Sequence, residues 1–461
     1  MVIKNGRVVT ETSVIETDIL IKDGIITEIG DGLYDTEIID AAGKYVLPGG
    51  IDVHTHMNLD VGIAVAQDDF FTGTIAAACG GTTTIVDHLG FGPKGCSLDH
   101  QINHYHKLAK DKAVIDYSFH GVIQHVDEDV LAMMETLIEQ GITSHKIYMT
   151  YGFKMSDEDI YEVLKRAKKL GIMIAVHPEN DGVVNIRRRD LVEAGCTAPK
   201  YHAISRPEPC EAEAVSRVMQ ISAIAGDAPL YIVHLSNHLG MQYIKLGKQN
   251  GIKNTFVETC PQYLLLNDTY YEREDALKYV MSPPLRDEAN NALLWDDIAN
   301  GDIDTVATDH CPFDIKLKEK MGKDDFTKCP NGMPGVELRF PLIFSEGVMK
   351  GRISAIQFAQ LCATNPAKLF GMYPKKGVIR EGSDADIVIM DTNSSQTITH
   401  DRLHENVDYT PYEGIELKCL VDCVISRGDV IVKDNAYVGD KARGQFIKRG
   451  KPMLSVAHNQ F

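Results

Sequence analysis

The chain has 461 residues, 44% hydrophobic and 24% charged, the balance of an ordinary globular protein with room for a large core. Its 47 basic and 65 acidic side chains leave a formal charge of −18, which repels nucleic acid and anionic membranes and argues against a general binder of either. There is no uncharged apolar run long enough for a membrane span and no apolar signal block at the start, so a cytoplasmic location is expected, with the ten cysteines as reduced core thiols.

Residues 1–48 hold short runs of alternating apolar and polar residues, broken by Asn5-Gly6 and Asp23-Gly24. Both dipeptides signal hairpin turns, so antiparallel β structure is expected. The stretch 49–372 differs. It contains eight apolar, β-branched runs, at 50–56, 83–88, 113–122, 144–150, 172–178, 230–236, 254–260 and 304–310. Helical patterns such as DEDIYEVLKRAKKLG and EAEAVSRVMQISAIAG occupy most of the gaps. Strands alternating with helices predict parallel βα units, and eight of them predict a TIM (β/α)8 barrel. The longer gaps after the fifth and seventh runs should carry additional active-site structure. A doubly wound open sheet is the alternative, but no glycine-rich dinucleotide fingerprint follows any run. Residues 373–461 return to short strands between turn signals (ADIVIMD, LVDCVISRGDVIVKDN). The two ends should therefore combine into one small β-sandwich-like domain.

The chemistry is expected at the carboxyl ends of the barrel strands. His54 and His56 are two apart in the first run, so they share a face and can meet one metal. A lone His-x-His is weak, but the fourth run carries Lys146, and the fifth, sixth and eighth end near His177, His234 and Asp309. Four imidazoles and a carboxylate on one face suit zinc or a similar divalent ion. Lys146 cannot ligate a cation while protonated. If buried, its pKa falls, and the neutral amine can add carbon dioxide to become a carbamate. Such an anion can bridge two metals roughly 3.5–4 Å apart.

These residues together resemble the binuclear amidohydrolase superfamily. The segments DDFFTGTIAAACGGTTTIVDH, KIYMTYGFK, VHPENDG, SPPLRD, ATDHCPF and CPNGMPGVE are similar to those of the hydantoinase and dihydropyrimidinase family. The resemblance extends through NPAKLFG and KGVIREGSDADIVIMD to cover essentially the whole chain. It implies a homotetramer with two zinc ions per subunit. It also assigns roles: His54 and His56 on the more buried ion, His177 and His234 on the more exposed one, and Lys146 as the carboxylated bridge. Asp309 would bind the buried ion and take the proton of a bridging water. The Tyr151 hydroxyl would face the attacked carbonyl oxygen, and backbone groups at Ser282 and Asn331 would hold the ring amide. Leu59, Val61, Tyr148 and Met155 would receive the ring substituent. Read without the family, Tyr151 is an amphipathic loop residue, while Pro283-Pro284 and Asn331-Gly332 are turns.

The implied activity is hydrolysis of D-5-substituted hydantoins such as phenylhydantoin, or of dihydropyrimidines, to N-carbamoyl amino acids by a metal-bridging hydroxide. Allantoinases and dihydroorotases are the sister alternatives, but Met57-Asn58-Leu59-Asp60-Val61 offers no arginine for a substrate carboxylate. A non-catalytic, dihydropyrimidinase-related scaffold would have lost metal ligands, and all six are present. His88, His238 and His310 lie near strand ends without matching family ligands; His310 can support Asp309 from behind, but a packed or solvated histidine is the favoured reading. His100, His104 and His106 read as the polar face of a helix. Cys311 lacks a base that would make it a nucleophile, and the charged run 314–325 reads as an exposed loop.

Overall fold

The computed structural model describes residues 1–455. Eight parallel strands, each hydrogen-bonded to the next in sequence, form the central sheet. They are Gly50–Thr55, Thr82–His88, Asp116–Val122, Ser144–Tyr148, Met173–His177, Leu230–Ile232, Thr255–Thr259 and Thr305–Val306. Every residue in these strands is buried, as expected when a parallel sheet is covered on its outer face by helices and filled inside by side chains. The His56 N–H donates to the His310 carbonyl at 2.9 Å, and a parallel bridge joins Thr55 to His310. These contacts bring the last strand back to the first. The expected TIM barrel is the observed one.

Three strands are shorter than their apolar runs by three residues or more. The third begins at Asp116 and not at 113. The sixth ends at Ile232 and the eighth at Val306. Beyond those ends His234 and Asp309 take φ of 39° and 55°, a left-handed conformation that breaks strand pairing and turns both side chains.

The chain ends form a separate nine-stranded sheet. Val2–Val9, Val14–Lys22, Ile25–Gly30, Ile38–Asp40 and Tyr45–Pro48 come from the amino end. Ile387–Asp391, Leu420–Ser426, Asp429–Lys433 and Ala436–Tyr437 come from the other. Antiparallel pairing of Tyr45–Pro48 with Ile387–Asp391 joins the two halves. Asp23-Gly24 is the expected hairpin turn, with both residues at positive φ. Asn5-Gly6 is not a turn. It lies inside Val2–Val9, where the register slips between Ile3 and Gly6 to give a bulge. Asn5 takes a φ of 61° and its N–H donates to the Asp18 carboxylate at 3.1 Å. Gly6 is required because a Cβ there would lie 2.4 Å from a Val46 methyl.

Two buried cations tie this sheet and the tail to the amino end of the barrel. Lys376 contacts Asp116 at 2.6 Å, Asp386 at 2.7 Å and Asp384 at 2.9 Å. Arg449 donates to Ser118 and Ser144, both at 2.9 Å, and to the Phe119 carbonyl. The charged run 314–325 is not an exposed loop. It contains helix Ile315–Gly322, and Lys318 on that helix is fully buried against two backbone carbonyls.

Candidate metal centre

His54 and His56 project together from the first strand, with ring centroids 5.3 Å apart. Both Nε2 atoms lie 3.1 Å from Oδ1 of Asp309, which arrives from beyond the eighth strand. One ligand atom from each of the three residues lies within 4.8 Å of the other two. His54 Nδ1 is bound to Oε1 of Glu258 at 2.6 Å, which fixes the ring so that Nε2 faces the cluster. Glu258 also accepts the His234 N–H and the Tyr231 hydroxyl, each at 2.9 Å.

A second pair adjoins the first. His177 Nδ1 meets His234 Nε2 at 2.9 Å, and the His234 ring stacks 5.5 Å from that of His54. The other nitrogen of His177 is 2.7 Å from Glu179, whose carboxylate pairs with buried Arg206 at 2.6 Å. Lys146 rises from the fourth strand with 1% exposure, its Nζ 5.4 Å from the Tyr148 ring centroid. Burial draws its amine down to about 8, although Glu258 and Asp309 favour the ammonium.

The charges are set by opposing effects. Burial disfavours the charged His54 ring, but Glu258 and Asp309 overcome it and hold that imidazole up to about 9. Burial also opposes ionisation of Asp309, yet His54 and His56 keep its carboxyl well below the usual range. Burial pushes His56 and His177 down, and His234 well down. Three of the predicted site residues, Tyr151, His234 and Asp309, have positive φ, at 72°, 39° and 55°. Such backbone strain in non-glycine residues is characteristic of functional sites.

The donor set of imidazoles and a carboxylate suits zinc. A divalent metal fits the residues present.

Around this centre, the Tyr151 ring packs 5.2 Å from that of His177, with the Arg206 guanidinium 5.7 Å from its own centroid. Burial raises its hydroxyl to about 12. Asp181, at the start of helix Asp181–Glu193, accepts the Tyr151 N–H and the Thr150 hydroxyl at 3.2 Å each. Asn331 Nδ2 donates to Ser282 Oγ at 3.1 Å, bringing the two predicted amide-binding segments together. The four expected substituent contacts are distributed unevenly. Tyr148 is buried 6.0 Å from the His177 ring, and the Met155 N–H donates to its carbonyl at 2.9 Å. Leu59 packs with Cys311 and Phe313, while Val61 is exposed on the same loop as Ile63 and Val65.

Several other histidines have structural partners. His310 is fully buried, bound to Asp68 at 3.0 Å and facing the N–H groups of Gly335 and Val336; it is packed, not solvated. His238 pairs with Asp297 at 2.7 Å. His100 and His104 are exposed on helix Asp99–Ala109, whereas His106 leans on Phe119 and Phe446. His88 stacks on His120 at 4.1 Å. Cys311 is buried with its thiol pushed well up by burial, which leaves it unreactive. All ten cysteines are free. No helix among the described residues is long and apolar enough to cross a membrane.

The residues that sequence reasoning overlooks are the carboxylates and the arginine behind the ligands: Glu258, Glu179, Arg206 and Asp181. The available signal was an acid inside an apolar strand, in TFVET, and another two residues after a candidate ligand, in HPEN.

The amidohydrolase family matches residues 45–431. A D-phenylhydantoinase of Escherichia coli is 50% identical, over 98% of this chain and 99% of that protein. The crystal structure of a dihydropyrimidinase from Brevibacillus agri superposes with a TM-score of 0.95 at 44% identity, covering 98% of this chain and 99% of the other. A D-hydantoinase from a Bacillus species gives the same TM-score, identity and coverage. The chain thus belongs to the amidohydrolase family and, within it, to the hydantoinases and dihydropyrimidinases, enzymes that hydrolyse cyclic amides.

Proposed function

We propose that this protein is a zinc-dependent cyclic amidase that opens D-5-substituted hydantoins, and dihydropyrimidines, to N-carbamoyl amino acids. The observation that carries the reading is the convergence of His54, His56 and Asp309 beside the His177–His234 pair, with Lys146 buried near Glu258 and Asp309. His54, His56 and Asp309 would hold one divalent ion, His177 and His234 a second, and a Lys146 carbamate formed with carbon dioxide would serve both. When bound, the ions supply a hydroxide nucleophile near neutral pH and polarise the ring carbonyl.

The chain's own groups do the rest. Asp309 is ionised and can accept the proton of the attacking water, then return it to the leaving ring nitrogen. The Tyr151 hydroxyl, kept protonated by burial, donates to the oxyanion that develops on the carbonyl. Backbone groups at Ser282 and Asn331 hold the ring amide. Tyr148, Met155 and Leu59, with Val61 at the rim, give the exocyclic substituent an apolar seat. The similarity to a protein named D-phenylhydantoinase supports a bulky D-substituent. The family resemblance also supports a homotetramer, and the free cysteines a cytoplasmic setting.

A kinetic panel of dihydrouracil, hydantoin, D- and L-5-phenylhydantoin, allantoin and dihydroorotate tests the reading. The expected result is preference for D-5-phenylhydantoin. Far faster turnover of allantoin or dihydroorotate would reassign the enzyme to a sister activity.

A further inference from the structure

Helix Ile315–Gly322 has one lysine that does not reach solvent. Lys316 and Lys320 are exposed, but Lys318 has 0% exposure. Its Nζ donates to the Gly332 carbonyl at 2.7 Å and to the Val280 carbonyl at 3.0 Å, with the Tyr409 hydroxyl at 3.5 Å. Those carbonyls belong to the two segments proposed to grip the ring amide. Val280 stands two residues before Ser282, and Gly332 directly follows Asn331.

The segments are tied to each other as well. The Gly332 N–H donates to the Val280 carbonyl at 3.1 Å, and Asn331 Nδ2 to Ser282 Oγ at 3.1 Å. Gly332 sits at φ 152°, where a Cβ would lie 2.3 Å from the Cys311 carbonyl oxygen, so this backbone has little room to move aside. Burying an amine among carbonyls and thiols is unfavourable compared with an apolar side chain of the same length. Its hydrogen bonds go to these two loops.

We infer that Lys318 is a positioning residue that staples the Ser282 and Asn331 segments in register for the ring amide, and so sets substrate affinity. The inference rests on the proposed role of those two segments. Burial draws the Lys318 amine down to about 8, but the neutral amine keeps two N–H donors for the two carbonyls, so the staple survives either protonation state.

The test compares metal-loaded wild type, Lys318→Met and Lys318→Gln with D-5-phenylhydantoin and dihydrouracil. Hydrogen exchange is followed at 280–282 and 331–333. Lys318→Met should raise KM about tenfold while kcat stays within about threefold, the pattern of lost ground-state and transition-state binding together. Metal content should be unchanged and exchange faster at both segments. Lys318→Gln, whose shorter amide can reach one carbonyl, should fall between. An unchanged KM in the folded Met variant overturns the assignment, as does a loss confined to kcat. If the Met variant does not fold, the Gln variant decides by the same criterion. If wild type opens none of these rings, the functional reading falls, and exchange alone judges the lysine: unchanged rates at both segments overturn its role, and faster rates support it.

Discussion

At the carboxyl end of the barrel, Lys146 is buried near Glu258 and Asp309, and burial still draws its amine down to about 8. At the amino end, Lys376 is equally buried, yet three aspartates within 2.9 Å outweigh burial and hold its ammonium above the ordinary lysine range. The same residue type is thus handled in two ways. Where the charge only joins one part of the fold to another, the chain surrounds it with counter-charge. Where chemistry is proposed, it leaves the amine short of partners, the condition under which carbamate formation at neutral pH becomes accessible. Tyr151, His234 and Asp309 also adopt left-handed backbone at the carboxyl end.

The comparison predicts opposite consequences for the two lysines. Lys146→Ala should fold with an unchanged circular dichroism spectrum but lose turnover by more than about a thousandfold, since the proposed bridge between two cations is gone. Lys146→Arg should be equally inactive, because a guanidinium cannot form a carbamate. A short carboxylic acid added to the Ala variant should restore part of the turnover. Near-normal rates in either variant would make Lys146 merely structural.

Lys376→Met should do the reverse. It takes their nearest cation from three buried carboxylates, leaving Asp116 with Arg427 at 3.3 Å, and should cost about 3–5 kcal/mol in denaturant unfolding, while folded molecules keep normal kcat/KM. The sign with pH follows from the raised pKa. The contribution is full below the ordinary lysine value and is lost only as pH climbs past it. A variant as stable as wild type would remove the contrast between the two ends.

Tyr151→Phe should lower kcat by about a hundredfold, the usual effect of deleting one oxyanion donor, with metal content intact. Parallel loss of metal would instead mean that Tyr151 supports His177. The smallest expected effect is on specificity. Burial of a phenyl substituent against Tyr148, Met155 and Leu59 is worth about 2 kcal/mol, on the order of 30-fold in kcat/KM over unsubstituted hydantoin. Met155→Ala should narrow that ratio, and an unaltered ratio would move the substituent elsewhere.

The barrel was legible in the sequence because eight apolar runs alternate with helical patterns, and the histidine and aspartate ligands because they fall near the ends of their runs. What stayed hidden depends on tertiary pairing. Glu258 reads as a stray acid in an apolar strand until His54 is seen to donate to it at 2.6 Å. Lys318 reads as one charge in a solvated run, since burial cannot be told from polarity when a helix exposes every neighbouring lysine. Asn5-Gly6 has turn chemistry, but Asn5 uses its positive φ to bulge a continuous strand around Asp18. Helix Asp181–Glu193 has no strong apolar stripe, so neither its start nor the hold of Asp181 on Tyr151 could be read from periodicity.

The central claim is that the carboxyl end of this barrel holds two divalent ions that depend on an underpaired lysine. Elemental analysis of purified wild type beside Lys146→Ala, with turnover measured before and after chelation and zinc reconstitution, tests it most directly. The account predicts two ions per wild-type chain, at most one in the variant, and activity that chelators remove and zinc restores. Wild type free of metal and indifferent to chelators, or a variant holding two ions with near-normal turnover, would contradict it.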